Sequence, residues 1–158
     1  MIARLALLCI LLLGLAASPA RAVCSGASLD QEFREADVVV RARLVSEIRV
    51  WDDEPSAAFR ARWGESGHVI LYRLAVLEAF KGRPGPRIIF FQEVNSGRFD
   101  LDIDKDYFLF LNFIRPYPGR PAAARGAMYV RHACGQSRLW SEVLPRDLAA
   151  LRRLSSQH

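Results

Sequence analysis

Hydrophobic and polar residues alternate along two long stretches in the first half of the chain. In residues 38–51 the apolar side chains at positions 38, 40, 42 and 44 alternate with a second set that includes Arg41 and Arg43, and residues 68–81 repeat the pattern with Ile70, Tyr72 and Leu74 on one parity. A period of two places successive side chains on opposite faces of an extended strand, so each stretch predicts a half-buried β-strand. Shorter apolar runs predict three more strands, at residues 87–92, 106–114 and 127–133.

Helices are predicted at the two ends of this series of strands. Ser28, followed by Gln31, is typical of a capping box and predicts a short helix that runs to about Glu35. A second helix is predicted to begin at Pro145, with an apolar face of Leu148, Leu151 and Leu154. The strands follow one another without helices between them, which argues against a parallel sheet. We therefore predict a mainly β fold, a five-stranded OB-like Greek-key barrel with a short N-terminal and a C-terminal helix; a β-sandwich is the alternative.

Residues 1–22 have the pattern of a secretory signal peptide. Arg4 supplies a positive charge, residues 5–17 form an uncharged apolar run, and Ala20-Arg21-Ala22 fits the small-x-small pattern before a cleavage site. The run is too short to cross a membrane as a helix, which takes about 20 apolar residues. We expect a secreted protein, extracellular or periplasmic, whose single domain is residues 23–158 and which has no stable membrane insertion after cleavage. Cleavage after Ala20 is a second possibility.

Composition and charge narrow the class of protein further. Hydrophobic residues make up 51% of the 158 residues and charged residues 25%, which excludes disorder for the chain as a whole. The formal net charge is +5, and removal of a leader that contains Arg4 and Arg21 reduces it. Because positive and negative residues are mixed along the chain, this charge does not predict nucleic-acid binding.

Two cysteines remain once Cys9 is removed with the leader. Cys24 and Cys134 form an even pair in an oxidising compartment, which predicts a disulfide. A bond between them would close nearly the whole mature chain, and entropy models assign about 4–5 kcal/mol to a loop of about 100 residues. Two buried free thiols are the alternative.

An ordered series of short fragments runs through residues 23–158. Its members are Cys24-Ser25, Phe33, Ala36-Asp37-Val38-Val39-Val40-Arg41-Ala42, Val45-Ser46, Tyr72, Leu74, Leu77, Phe80-Lys81-Gly82, Tyr107-Phe108-Leu109, Cys134 and Trp140. The series resembles the amino-terminal domain of the tissue inhibitors of metalloproteinases, a branch of the netrin-like modules. The resemblance implies an OB-type barrel, and it implies that Cys24 bonds Cys134.

The resemblance also implies a mode of action, from which this chain departs at three places. In the family, the α-amine and carbonyl of an N-terminal cysteine bind the catalytic zinc of a protease, and Ala22 stands at that position here. Ala22 is either lost with the leader or becomes an internal residue, and an amide nitrogen is not a zinc ligand. The loop at residues 93–100 lacks the family's second cysteine partner, and Arg34 replaces a third family cysteine.

These observations lead us to expect a protein-binding module of inhibitor type, directed at a zinc metalloprotease. The surface that would contact the protease, which we call the N-terminal ridge, consists of Val23, Cys24, Ser25, Glu93, Val94, Asn95 and Ser96. The alternative is a non-inhibitory netrin-like interaction or structural module that has lost zinc chelation.

Motifs for catalysis, a cofactor or a resident metal are not found in the sequence. We therefore predict a protein that is not an enzyme and has no cofactor. Four aspartates alternate before and into the fourth strand, at Asp100, Asp102, Asp104 and Asp106. Tyr107 stands where a calcium loop of EF-hand type needs glycine, so a solvated turn is favoured over a calcium site. His132 and Cys134 lack a third metal ligand nearby in sequence.

Overall fold

Two helices flank six strands in the computed structural model, which describes residues 26–50, 69–93, 99–115, 125–131 and 135–156. In chain order the elements are α1 (Leu29–Glu35), β1 (Val38–Val50), β2 (Val69–Lys81), β3 (Arg87–Glu93), β4 (Asp106–Phe113), β5 (Met128–Val130), β6 (Arg138–Leu139), a 3₁₀ turn (Trp140–Glu142) and α2 (Pro145–Ser155). None of the helices in these residues is long and apolar enough to span a membrane.

Five of the strands close into a barrel. Neighbours along the sheet are β1, β2, β3, β5 and β4, and β4 pairs back with β1. Every pairing is antiparallel except that of β3 with β5, which is parallel. The predicted mainly β barrel with a short helix before it and a helix after it is confirmed. A β-sandwich is excluded because the strands form one closed sheet rather than two.

The barrel interior is filled by side chains at alternate positions of the strands, which the period of two predicts to lie on one face. Val38, Val40, Ala42 and Leu44 of β1 point inward and are buried. They pack against inward residues of the other strands, which include Tyr72, Leu74, Phe90, Leu109, Leu111 and Met128. The rings of Tyr72 and Phe90 stack at 5.6 Å between centroids. Burial of these side chains removes apolar surface from water and stabilises the closed sheet.

Helices α1 and α2 cover part of the outer face of the barrel. Val39, Phe108 and Phe110 point outward from their strands, yet they are buried because Phe33 of α1 and Leu151 of α2 pack over them. Leu148 and Leu154 pack against the same cluster, which confirms the predicted apolar face of α2. This cover explains why β4 is buried on both faces along five successive residues.

The fifth strand differs from its sequence-based prediction. A continuous strand was expected at residues 127–133, but β5 ends at Val130. The pairing with β4 resumes at β6, where Leu139 lies opposite Tyr107. Residues 132–134, which include the end of the predicted strand, lie outside the described residues. Gly135 and Gln136, which precede β6, approach α1.

Candidate functional site

Most of the predicted N-terminal ridge lies outside the described residues. This is the case for Val23, Cys24, Ser25, Val94, Asn95 and Ser96, and also for Cys134. The disulfide therefore stays a prediction. Glu93 is the last residue of β3, and its backbone lies opposite Val69 of β2. The described residues nevertheless show how the chain is held after Ser25 and on both sides of residues 94–98.

The start of the described chain is fastened to the segment before β6. The side-chain amide of Gln136 donates to the carbonyl oxygen of Ala27 at 2.9 Å, and the backbone N–H of Gln136 donates to Glu32 Oε2 at 2.5 Å. The Glu32 side chain is buried, with a residue exposure of 3%. We call Ala27, Glu32, Gly135 and Gln136 the N-terminal anchor. It holds the segment that precedes α1 against the outside of the barrel.

Glycine at position 135 lets the backbone approach the Glu32 carboxylate. A Cβ on Gly135 would lie 2.8 Å from the carboxyl carbon of Glu32, closer than such atoms approach in proteins. Any other residue would therefore push the buried carboxylate away from the backbone amide that it accepts from. The close approach of backbone and carboxylate depends on the missing side chain.

Further hydrogen bonds connect the anchor to β4 and α2. Arg138 donates from Nη1 to Gln136 Oε1 at 2.9 Å and from Nη2 to Asp147 Oδ2 at 2.6 Å. The hydroxyl of Ser137 accepts from the backbone N–H of Phe110 at 3.0 Å. The anchor is thus joined through Arg138 to the C-terminal helix α2. The hydrogen bonds of this polar network hold the side chains that form it in place.

The connection between β3 and β4, which includes the second part of the ridge, is held on both sides of residues 94–98. The amide of Gln92 is buried and faces the backbone of Phe99. In the amide orientation that satisfies both groups, its nitrogen donates to Phe99 O at 2.7 Å and its oxygen accepts from Phe99 N. Further on, the backbone N–H of Asp102 donates to the hydroxyl of Tyr107 at 2.7 Å. Burial raises the pKa of Tyr107, so this hydroxyl stays protonated.

The fragment Phe80-Lys81-Gly82, which contributes to the family resemblance, has a structural role. Lys81 Nζ donates to the carbonyl oxygens of Phe33 at 2.7 Å and Arg34 at 2.9 Å, at the C-terminal end of α1 where carbonyls lack helical partners. Burial lowers the pKa of Lys81, an effect that Asp37 opposes. Gly82 has a φ of +76°, and a Cβ there would lie 2.8 Å from the Asp37 carbonyl oxygen. These residues join α1 to the end of β2.

A second carboxylate, Asp106 at the start of β4, is bound on the outer face of the barrel. Its Oδ2 accepts from Arg41 Nη2 at 2.5 Å and Nε at 3.1 Å, and its Oδ1 accepts from Arg43 Nε at 2.7 Å. The hydrogen bond from Arg43, together with that from Arg41, lowers the pKa of Asp106, although burial opposes the shift. The Arg41 guanidinium lies 4.6 Å from the ring centroid of Trp140. We call these four residues the Asp106 cluster.

Asp104 and Asp106, which belong to the four alternating aspartates, make contacts within the protein. Asp106 faces two arginines, and Asp104 lies in a turn with a φ of 63°, where its backbone N–H donates to Leu44 O. Among the described residues, no group of three or more His, Cys, Asp or Glu side chains could hold a metal ion. His68 and His132 lie outside those residues.

Sequence reasoning did not identify the anchor, the Gln92 contact or the Asp106 cluster. Gln92, Arg41 and Asp106 are polar residues within or beside apolar stretches, a pattern that is a usable signal for a buried polar contact. Glu32 and Gln136 lie among other polar residues and give no such signal. The pattern does not name the partner, because Gln136 follows Glu32 by 104 residues and Asp106 follows Arg41 by 65.

Comparison with known proteins does not assign the chain to a family. A scan against protein-family models and a search of the curated proteins each found no match.

Proposed function

We propose that this protein is a secreted binding module that inhibits a zinc metalloprotease through its N-terminal ridge. The observation that carries the proposal is the N-terminal anchor, in which Gln136 binds the carbonyl of Ala27 and Glu32 binds the backbone of Gln136. The anchor holds the chain at Ala27, two residues after the ridge residue Ser25. A binding segment that is tied close to one end has less conformational entropy to lose when it enters a protease cleft, which is how preorganised inhibitors bind tightly. The resemblance to the tissue inhibitors of metalloproteinases supplies the class of target.

The anchor also supports the proposed disulfide. Cys24 precedes Ala27 by three residues, and Cys134 precedes Gln136 by two. The Gln136 side-chain nitrogen lies 2.9 Å from the Ala27 carbonyl oxygen, so the segments that follow the two cysteines are neighbours. Bonded cysteines have Cα atoms about 4.4–6.8 Å apart, a spacing that such neighbouring segments can provide. A disulfide here would add a covalent link to the hydrogen bonds of the anchor.

The chemistry proposed for the protease zinc differs from that of the family. Val23 would be the first residue of the mature chain, and its α-amine would be the zinc ligand when it is neutral. Reference α-amino groups have a pKa of about 7.7–8.0, so binding through the amine is expected to weaken as the pH falls below that range. The Val23 side chain would occupy a specificity pocket of the protease.

The test is an inhibition assay with correctly processed protein. The chain is produced in an oxidising compartment, its first residue is checked by mass spectrometry, and it is titrated against a panel of zinc metalloproteases with a fluorogenic peptide substrate. We expect at least one protease to lose activity at micromolar inhibitor. The matched control carries a Gly-Ser extension before Val23, which turns the amine into an amide and should abolish inhibition. Absence of inhibition across the panel at micromolar concentration would overturn the proposal.

A non-inhibitory interaction module of netrin-like type is the second candidate. Ala22 at the position of the chelating cysteine and the absence of cysteine from residues 93–100 favour it. Mass spectrometry of the naturally secreted protein separates the two candidates. A blocked or extended N-terminus supports the second candidate because the zinc ligand is then missing, whereas a free amine on Val23 supports the inhibitor.

A further inference from the structure

Two exposed arginines lie next to each other on the outer face of the barrel, away from the predicted ridge residues in sequence. Arg73 is on β2 and Arg87 is the first residue of β3. In the register of this antiparallel pair, Arg73 lies opposite Ile89 and Arg87 lies opposite Ala75. Arg73 and Arg87 are therefore diagonal neighbours on one face, about 7–8 Å apart.

These two arginines have no ion-pair partner among the described residues. The arginines of β1 differ in this respect, because Arg41 and Arg43 share Asp106. The nearest carboxylate on β2 in this register is Glu78, which lies opposite Arg41 rather than beside Arg73. The outer face of β2 and β3 thus keeps two positive charges.

We propose that Arg73 and Arg87 form a docking surface for an extended acidic segment of a protein partner. In an extended chain, side chains two residues apart lie on the same side, about 6.6–6.8 Å from each other. This spacing matches the separation of the two arginines, so carboxylates at alternate positions can meet one guanidinium each. The planar fork of arginine pairs with a carboxylate through two parallel hydrogen bonds.

The residues around the two arginines are suited to such a segment. Ile89 and Ala75, which complete the two cross-strand pairs, are half-buried and present apolar surface between the charges. The residue of the partner between its two carboxylates points away from the sheet and is unconstrained. The recognition motif is therefore an acidic residue, any residue and a second acidic residue. This surface does not depend on the proposed inhibition of a protease.

The test measures binding of a fluorescein-labelled peptide with glutamates at alternate positions, Glu-Ser-Glu-Ser-Glu, by fluorescence polarisation at low salt. The full mature protein is compared with Arg73→Glu/Arg87→Glu. We expect the double variant to bind at least about tenfold more weakly, because two attractive contacts become repulsive. Arg73→Gln/Arg87→Gln removes the two positive charges without adding negative ones and should show a smaller loss of peptide affinity. This variant tests the proposal even if charge reversal impairs folding.

The matched control is Arg152→Glu/Arg153→Glu, which makes the same charge change at two exposed positions of α2. It should bind the peptide within about twofold of the unaltered protein, since it acts only through the weak long-range field. Equal losses in both charge-reversed variants would overturn the proposal. So would absence of peptide binding, equal binding of a peptide of the same composition with its glutamates adjacent, or binding of a sulfated polysaccharide without binding of the peptide.

Discussion

Glu32 in the N-terminal anchor and Asp106 in the Asp106 cluster are two carboxylates that are bound in different ways. Glu32 is buried and accepts from a backbone amide of a distant segment, which approaches it closely at Gly135. Asp106 lies at the barrel surface and accepts from two arginine side chains that are themselves partly exposed. The first contact fixes the path of the backbone, whereas the second joins side chains that can rearrange.

The difference between these contacts predicts that loss of the Glu32 contact lowers the free energy of unfolding more than loss of the Asp106 contacts. A buried carboxylate that loses its donor has no water to replace it, so the loss costs about 1–3 kcal/mol or more. The Asp106 side chain is only 12% exposed, but Arg41 and Arg43 are 32% and 50% exposed. Water and salt therefore reach these ion pairs, and pairs that are open to solvent contribute about 0–1 kcal/mol. Substitutions in the anchor should therefore affect stability more than those in the Asp106 cluster.

The largest effect is expected for Gly135→Val. The new side chain would displace the Glu32 carboxylate, and we expect the free energy of unfolding to fall by about 2–4 kcal/mol, measured by urea denaturation. Gly85→Ala is the matched control, because a Cβ on Gly85 would lie at an ordinary 3.8 Å from the Arg87 carbonyl oxygen. Equal stability of the two variants would show that position 135 does not approach Glu32 as described.

Removal of the carboxylate itself is expected to have the next largest effect. In Glu32→Ala, the backbone amide of Gln136 loses its acceptor, and the free energy of unfolding should fall by about 1–3 kcal/mol. Hydrogen exchange of the Gln136 amide should become faster in this variant. The control is Glu142→Ala, at an exposed position of the 3₁₀ turn, which should change neither quantity.

A smaller effect, with a defined pH dependence, is expected for Asp106→Asn. The loss should be about 1 kcal/mol at neutral pH. Because the arginines lower the pKa of Asp106 in the folded protein, its contribution is complete above the unfolded value of about 3.9 and is lost as the pH falls through the folded value. The difference in stability between the unaltered protein and the variant should therefore shrink below about pH 4. If the difference is constant from neutral pH to pH 2, the arginines do not hold the carboxylate. Asp102→Asn, at an exposed position of the turn, is the control.

The smallest effect is expected for Arg34→Ala. Arg34 forms an ion pair with Asp30 on the exposed face of α1, and such pairs contribute about 0.2–0.5 kcal/mol. Lys81 binds the backbone carbonyl of Arg34, which the substitution keeps. A thermal shift as large as that of Glu32→Ala would contradict the ranking of buried over exposed contacts.

Much of the secondary structure follows from local pattern. The bounds of β1, β2 and β3 lie within one residue of those predicted, because the period of two and the turn residues are properties of neighbouring positions. The capping box was correct in part. Ser28 accepts from the Gln31 amide, but the Gln31 side chain donates to Glu35 rather than back to the cap. The contact of Ser28 follows from its position at the helix end. The partner of the Gln31 side chain depends on which nearby acceptor competes best for it.

Less of the candidate site than of the secondary structure could be predicted from the sequence. The ridge residues followed from resemblance, and all of them except Glu93 lie outside the described residues, so that part stays a prediction. The contacts that hold the chain beside the ridge were not predicted. Glycine at 135, glutamate at 32 and glutamine at 92 are individually common residues, and their significance arises only when the fold brings distant segments together.

The sequence by itself determined which segments are extended, which faces of them are apolar and where the two helices lie, because these properties depend on residues a few positions apart. The tertiary structure decided the closure of β1 against β4, the parallel pairing of β3 with β5, the break of the fifth strand and the partners of Glu32 and Asp106. A carboxylate can accept from a backbone amide, as Glu32 does, or from arginine, as Asp106 does, so its partner is selected by the packing of the whole barrel and not by its neighbours in the chain.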